Sequence, residues 1–230
     1  MTVIGVASMK NSPGVTTFAL ALAATWPCGE VLLAELDAAG GELAGHFRLE
    51  PDPGVASLAT ELRRSQEPDV LGRHTQALPR GLRVIAAPVR QDQAYAAISA
   101  MTATLPDVLK KLPPETTVVA DLGRLTGPST ELAARADHVL ILTRPRLTEL
   151  AHLQGLAEAV PHAEIVLIGR GTYPANEVTE AVGLRIRAHI AHDPGARAFL
   201  EGRRQRTRVV RAARRLATTL STGAHVGAAS

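Results

Sequence analysis

The chain has 230 residues, 46% hydrophobic and 3% aromatic, with a formal net charge of +3. That apolar content can bury a core and excludes a wholly disordered chain, and so few aromatic rings argue against a reader of single strands or sugars by stacking. The charge is divided: residues 1–201 hold 22 acidic against 18 basic side chains, a net −4, while residues 202–230 hold seven arginines and no acid.

In chain order, short apolar runs predict strands at 2–7, 31–36, 82–86, 117–121, 138–143, 164–169 and 185–190. The segments between them predict helices at 16–26, 55–64, 91–112, 129–135, 147–160 and 175–182, with two more at 195–201 and 206–220. The apolar run Phe18–Ala24 behind Lys10 has the look of a leader, but a strand precedes it, so it is read as the first helix. Near-continuous apolar strands alternating with helices predict an α/β fold, a mostly parallel central sheet with helices on both faces. No linker or repeat divides the chain, so residues 1–220 read as one domain and 221–230 as a loose tail. No run reaches the ~20 apolar residues that span a bilayer. The single cysteine, Cys28, excludes an internal disulfide and suits a reducing, cytoplasmic setting. Eight scattered histidines form no metal set.

Ligands of such sheets bind beyond the carboxyl ends of the strands, so the exit loops carry the functional reading. The first exit is Lys10-Asn11-Ser12-Pro13-Gly14-Val15-Thr16-Thr17, opening a helix. Backbone N–H groups from Gly14 to Thr17 and the positive helix end suit a phosphate, and a first-turn hydroxyl suits Mg²⁺. The second exit carries Glu35 and Asp37 before Gly40-Gly41. The strand 117–121 ends in Asp121, an acid placed to hold Mg²⁺ through water, followed by Gly123 and Arg124.

These segments resemble the ParA/MinD family of P-loop ATPases, whose deviant Walker A motif reads KGGxGKT[ST]. Lys10 matches the signature lysine, Gly14 the last glycine and Thr16-Thr17 the hydroxyl pair. Asn11 and Ser12 replace two glycines, and Val15 replaces the P-loop lysine. The resemblance implies ATP and Mg²⁺ as cofactors, held by Gly14, Val15, Thr16, Thr17 and Asp121. It implies Asp37, matching the second acid of the family's segment, beside the attacking water, Glu35 in place of the first acid, and Lys10 reaching a partner's nucleotide across a homodimer. Asp193, in Ile190-Ala191-His192-Asp193-Pro194, matches a segment near the base, and Gly169-Arg170 stand where the family has an adenine-contacting Asn. Arg124 is placed to replace some of the charge lost at Val15. The function implied is a nucleotide-dependent dimerisation switch, or slow ATPase, in DNA partitioning or positioning of a cellular machine. The alternative is a degenerate, non-hydrolysing scaffold, which Val15 and Ser12 favour.

The basic segment predicts an amphipathic helix with Arg204, Arg208, Arg211 and Arg215 at three- and four-residue steps. Its alanine-rich apolar side suits a polyanion such as DNA better than lipid, because a membrane helix needs large apolar side chains.

Overall fold

The computed structural model describes residues 1–10 and 13–227. Its strands are β1 (Thr2–Ser8), β2 (Val31–Glu35), β3 (Gln76–Ala77), β4 (Arg83–Ile85), β5 (Thr117–Arg124), β6 (His138–Thr143), β7 (Ala163–Ile168) and β8 (Ile186–Ile190). They form one eight-stranded sheet in the order β3-β4-β2-β5-β1-β6-β7-β8. Only the two-residue β3 runs antiparallel, against β4. The α/β architecture with a mostly parallel sheet is therefore as the sequence predicts.

Helices cover both faces: α1 (Val15–Ala24), α2 (Leu43–Phe47), α3 (Val55–Glu61), α4 (Asp69–Arg73), α5 (Gln91–Met101), α6 (Leu105–Leu109), α7 (Pro128–Ala134), α8 (Leu147–Leu150), α9 (Leu156–Ala159), α10 (Ala175–Val182), α11 (Ala196–Leu200) and α12 (Arg208–Gly227). Side chains of β1 divide between two cores, as the two-residue strand period requires. Val3 and Ala7 join the core under α3, α5 and α6, while Ile4 and Val6 meet Phe18 and Leu22 of α1. α1 is apolar nearly all round because it lies between the sheet and α12, whose Val209, Ala213, Leu216 and Leu220 are buried.

Several boundaries differ from expectation for physical reasons. The helix expected over 91–112 breaks after Met101 and restarts at Leu105 with Pro106 in its first turn, a place where the missing N–H costs nothing. That expected over 147–160 is interrupted by Gly155, whose φ is 76°. α2, α4 and β3 have too few residues for a visible period. The last helix runs to Gly227 rather than stopping at Leu220 before a tail, and residues 228–230 lie outside the described residues.

β5 is the functionally important correction. It continues to Arg124, so Asp121 sits inside a strand rather than at its end. The register shifts there, with Val6 opposite Asp121 and Ala7 opposite Gly123, leaving Leu122 as an extra residue. Such bulges re-aim side chains beside sites. Phe18, fully buried where α1 meets the sheet, anchors this arrangement. Phe18→Ala is expected to lower the unfolding free energy by about 3–5 kcal/mol, measured by urea denaturation.

Candidate functional site

α1 starts directly beyond β1, with Gly14 at φ 96°, ψ 39°. An L side chain is strained in that conformation, although a Cβ there would meet no atom within 4 Å, so glycine is required by the backbone and not by crowding. Gly14, at the N-cap, has no side chain to cap α1, and among the described residues no side-chain cap meets its first-turn N–H groups. Thr16 is half-buried and Thr17 buried. Val15 is 4% exposed and packs in the core on the α1 face. The position where a P-loop lysine would stand therefore adds no cation. Lys10 is exposed at the end of β1. Asn11 and Ser12, expected to alter the loop's path, lie outside the described residues.

Three carboxyl groups gather on the neighbouring strands. Glu35 stands opposite Asp121 in the β2–β5 ladder. Both Glu35 oxygens accept main-chain hydrogen bonds: Oε1 from Glu42 and Leu43 at 2.7 and 3.0 Å, and Oε2 from Ala87 at 2.9 Å. Burial raises its pKa while these donors oppose the rise. Glu35 thus starts α2 and ties the exits of β2 and β4, which leaves it poorly placed to act on a water. Asp37 is only half-buried, with Oδ1 accepting from Ala39 at 2.8 Å. Its carboxylate lies against the backbone of Gly123, where any Cβ would overlap it. Burial raises its pKa; the exposed Arg124 pulls the other way.

Asp121 is fully buried. Its Oδ1 accepts from Gly123 at 3.1 Å, and its Oδ2 has no partner. Burial, then the charge of Glu35, push its pKa up to about 8, and the nearby Thr16 hydroxyl works against them. Ser8 Oγ, at the end of β1, is likewise buried without a partner. Orphaned polar atoms of this kind need an explanation, and a bound cation or its water shell supplies one. Mg²⁺ keeps most of its ligands from water and phosphate, so a site for it needs few protein ligands. Among the described residues no group of three His, Cys, Asp or Glu side chains is arranged as a self-sufficient metal cage.

Beside the α1 terminus a cleft of 330 Å³ opens beyond β6, β7 and β8. Gly14 and Thr17 form one wall; Arg144, Arg146, Arg170 and Asp193 form the other. Asp193 is where the resemblance places it, but both its oxygens are engaged. Oδ1 accepts from Gly195 at 2.9 Å and Oδ2 from Val209 at 2.7 Å. Burial opposes its ionisation, yet these N–H donors prevail and hold the carboxyl below its usual value. Its contribution to a ligand is therefore to shape the wall. The three arginines were not singled out from the sequence as site residues. Their signal was present, since each directly follows the carboxyl end of β6 or β7. A larger cavity, 460 Å³, lies at the other end of β2 and includes none of the expected site residues.

All seven arginines from Arg203 to Arg215 are exposed. Arg208 donates to the His192 carbonyl at 3.0 Å, and Arg203 pairs with Glu201. Arg211 and Arg215, four residues apart, share a face of α12, whereas Arg204 precedes the helix, with its guanidinium near Gly195.

The structural comparisons speak to the whole chain. A ParA family ATPase from Chlorobium tepidum TLS superposes with a TM-score of 0.78 at 17% identity, covering 94% of this chain and 97% of that one. The fold is that of the ParA and MinD ATPases. The septum site-determining protein MinD of Pyrococcus horikoshii OT3, complexed with Mg-ADP, matches at a TM-score of 0.73 and 15% identity over 98% of both chains. A Cyanothece McdA variant in an ATP complex matches at 0.62 and 17% identity, over 88% of this chain and 87% of that one. No protein-family model and no curated protein matches the sequence. The ParA/MinD fold is thus kept at identities where individual site residues are free to change.

The buried acid gives a pH test. The fold holds a proton on Asp121 up to about pH 8, whereas the unfolded chain sheds it near pH 4, so Asp121 costs stability progressively as pH rises through that window. Asp121→Asn removes this cost. Its melting temperature is expected to exceed that of the wild type at pH 8, with the difference shrinking toward pH 4, by calorimetry in metal-free buffer.

Proposed function

We propose that the chain is a nucleotide-dependent switch that binds ATP with Mg²⁺ at the start of α1. The observation that carries this reading is the start of α1 behind left-handed Gly14, set beside the unpartnered Oδ2 of Asp121. Gly14, Val15, Thr16 and Thr17 would offer main-chain donors to phosphate, and Thr16 and Asp121 would hold the metal. Mg²⁺ supplies charge neutralisation on the phosphate oxygens. Asp37, open to solvent and oriented by Ala39, is the acid suited to position a water. Lys10 is exposed enough to reach a second copy, so a homodimer completes the charge around the phosphates. The positioning and partitioning roles suggested by ParA, MinD and McdA relatives come to this chain by analogy of fold alone.

Hydrolysis is the part of this reading that the residues support least. Val15 is buried and Glu35 is engaged by main chain, and both favour the second reading, a scaffold that binds nucleotide without turning it over. Phosphate release at saturating ATP and Mg²⁺ separates them. A slow ATPase loses tenfold or more in Asp37→Ala and falls similarly in Lys10→Ala; equal background release in all three proteins leaves the scaffold.

A second arm of the proposal concerns α12. Its apolar face is already buried against α1, and no helix among the described residues is long and apolar enough to cross a membrane. Its arginines remain available to a polyanion, with Arg204, Arg208, Arg211 and Arg215 as the expected contacts and a cytoplasmic nucleoid as the setting. Non-specific duplex DNA binding should weaken steeply with salt. Replacing Arg211 and Arg215 together by Ala should reduce the log–log salt slope by about 2 in a fluorescence titration. A slope unchanged by the double substitution removes α12 as the DNA surface.

A further inference from the structure

The missing ammonium at position 15 leaves a phosphate site short of positive charge, and the cleft wall opposite α1 supplies it. Arg144 leaves the end of β6 half-buried, at 34% exposure, and faces the same cleft as Gly14 and Thr17. Its guanidinium is held in place. Nη1 donates to Glu149 Oε1 at 3.3 Å, and its own main-chain N–H donates to Glu149 Oε2 at 3.2 Å. Glu149 is 3% exposed, so it is a fixed strut rather than a solvated partner. The 144–146 loop is further latched to the next exit. Thr172 N–H donates to the Pro145 carbonyl at 3.2 Å, and a Cβ at Gly171 would collide with that oxygen. Arg146 and Arg170 stand exposed along the same rim. The acid lining the cleft, Asp193, stays ionised under its main-chain donors and offsets one of the three guanidinium charges, as Glu149 offsets another. One net positive charge is left on the cleft that Gly14 and Thr17 share with the three arginines. The unpartnered Asp121 Oδ2, near the Thr16 hydroxyl, puts a second polar feature beside the first turn of α1, outside the cleft lining itself.

We infer that Arg144, positioned by Glu149, is the cation that meets the phosphates of a nucleotide seated on α1, in the same chain and without a partner. This rests on the nucleotide reading above and assigns to it a residue that the motif does not contain. A guanidinium differs from an ammonium in kind: it binds two phosphate oxygens at once and keeps its charge at any pH. A planar fork entering from the β6 side reaches the phosphates from a different direction than a lysine on the helix would. Arg124, across the sheet at the Asp37 exit, is not part of the cleft lining. The charge replacement expected of Arg124 is thus better met by Arg144.

The test is titration calorimetry of the full chain with MgATP and with inorganic pyrophosphate. Arg144→Gln is expected to weaken both ligands on the order of tenfold to a hundredfold. Arg144→Lys should lose less, because a point charge remains. Glu149→Gln should weaken pyrophosphate about tenfold while leaving the ligand-free circular dichroism unchanged. Wild-type affinity in Arg144→Gln overturns the inference and leaves nucleotide binding intact. No binding of either ligand by the wild type overturns both. If Arg144→Gln does not fold, Arg144→Met, matched in length, is judged by the same criterion.

Discussion

Glu35 facing Asp121 in the centre of the sheet is the constraint on which the functional end of the molecule depends. Two carboxyl groups on adjacent parallel strands, both nearly inaccessible to water, repel one another and lose hydration. The fold accommodates them unequally. Glu35 receives three main-chain donors, which fix the 42–43 and 87 backbones and so build the exits of β2 and β4. Asp121 receives one, from Gly123, and keeps an oxygen without a partner. A group left in that state holds a proton at neutral pH, and a cation competes with that proton for the same oxygen. The local charge at the sheet's end is thus set by what binds there.

A valine at position 15 does not disturb this arrangement, because Val15 fills apolar space that the α1 core offers. Charge and packing are separable at that position: the side chain that neutralises phosphate in a P-loop makes no demand on the core, and a β-branched residue in its place adds to it. Positive potential is instead concentrated on the β6–β7 side, where the exit loops are bound to each other. On the proposed reading, main-chain donors of α1 and guanidinium groups of the opposite wall would share the phosphates. That geometry fits ligand retention better than it fits turnover.

Much of this was legible in the sequence, and the exceptions have specific causes. Seven strands and the order of the exit loops followed from apolar runs, because strands buried on both faces leave little ambiguity. Gly14 and Asp121 were recognisable from their positions. The extension of β5 past Asp121 was not, because a strand that carries a buried acid and a glycine looks from its composition like a strand that has ended. The engagement of Asp193 was hidden for a different reason. Its partner, Val209, is 16 residues away, and only folding brings the start of α12 over the 192–195 turn. Arg144 was passed over because its strut, Glu149, reads from sequence as an ordinary helix-surface acid; burial alone reveals it.

That last helix joins two properties that composition had merely placed in separate segments. The acidic body and basic end of the chain meet at Asp193, which accepts the first main-chain bond of α12, and at His192, whose carbonyl accepts from Arg208. Both residues belong to the wall of the cleft. The apolar side of α12 lies along α1, whose own first turn forms the opposite wall. The arginine surface is therefore carried on a helix tied at its start and along its length to the two sides of one site. The 191–194 segment and the start of α12 are thus joined by two hydrogen bonds as well as by packing.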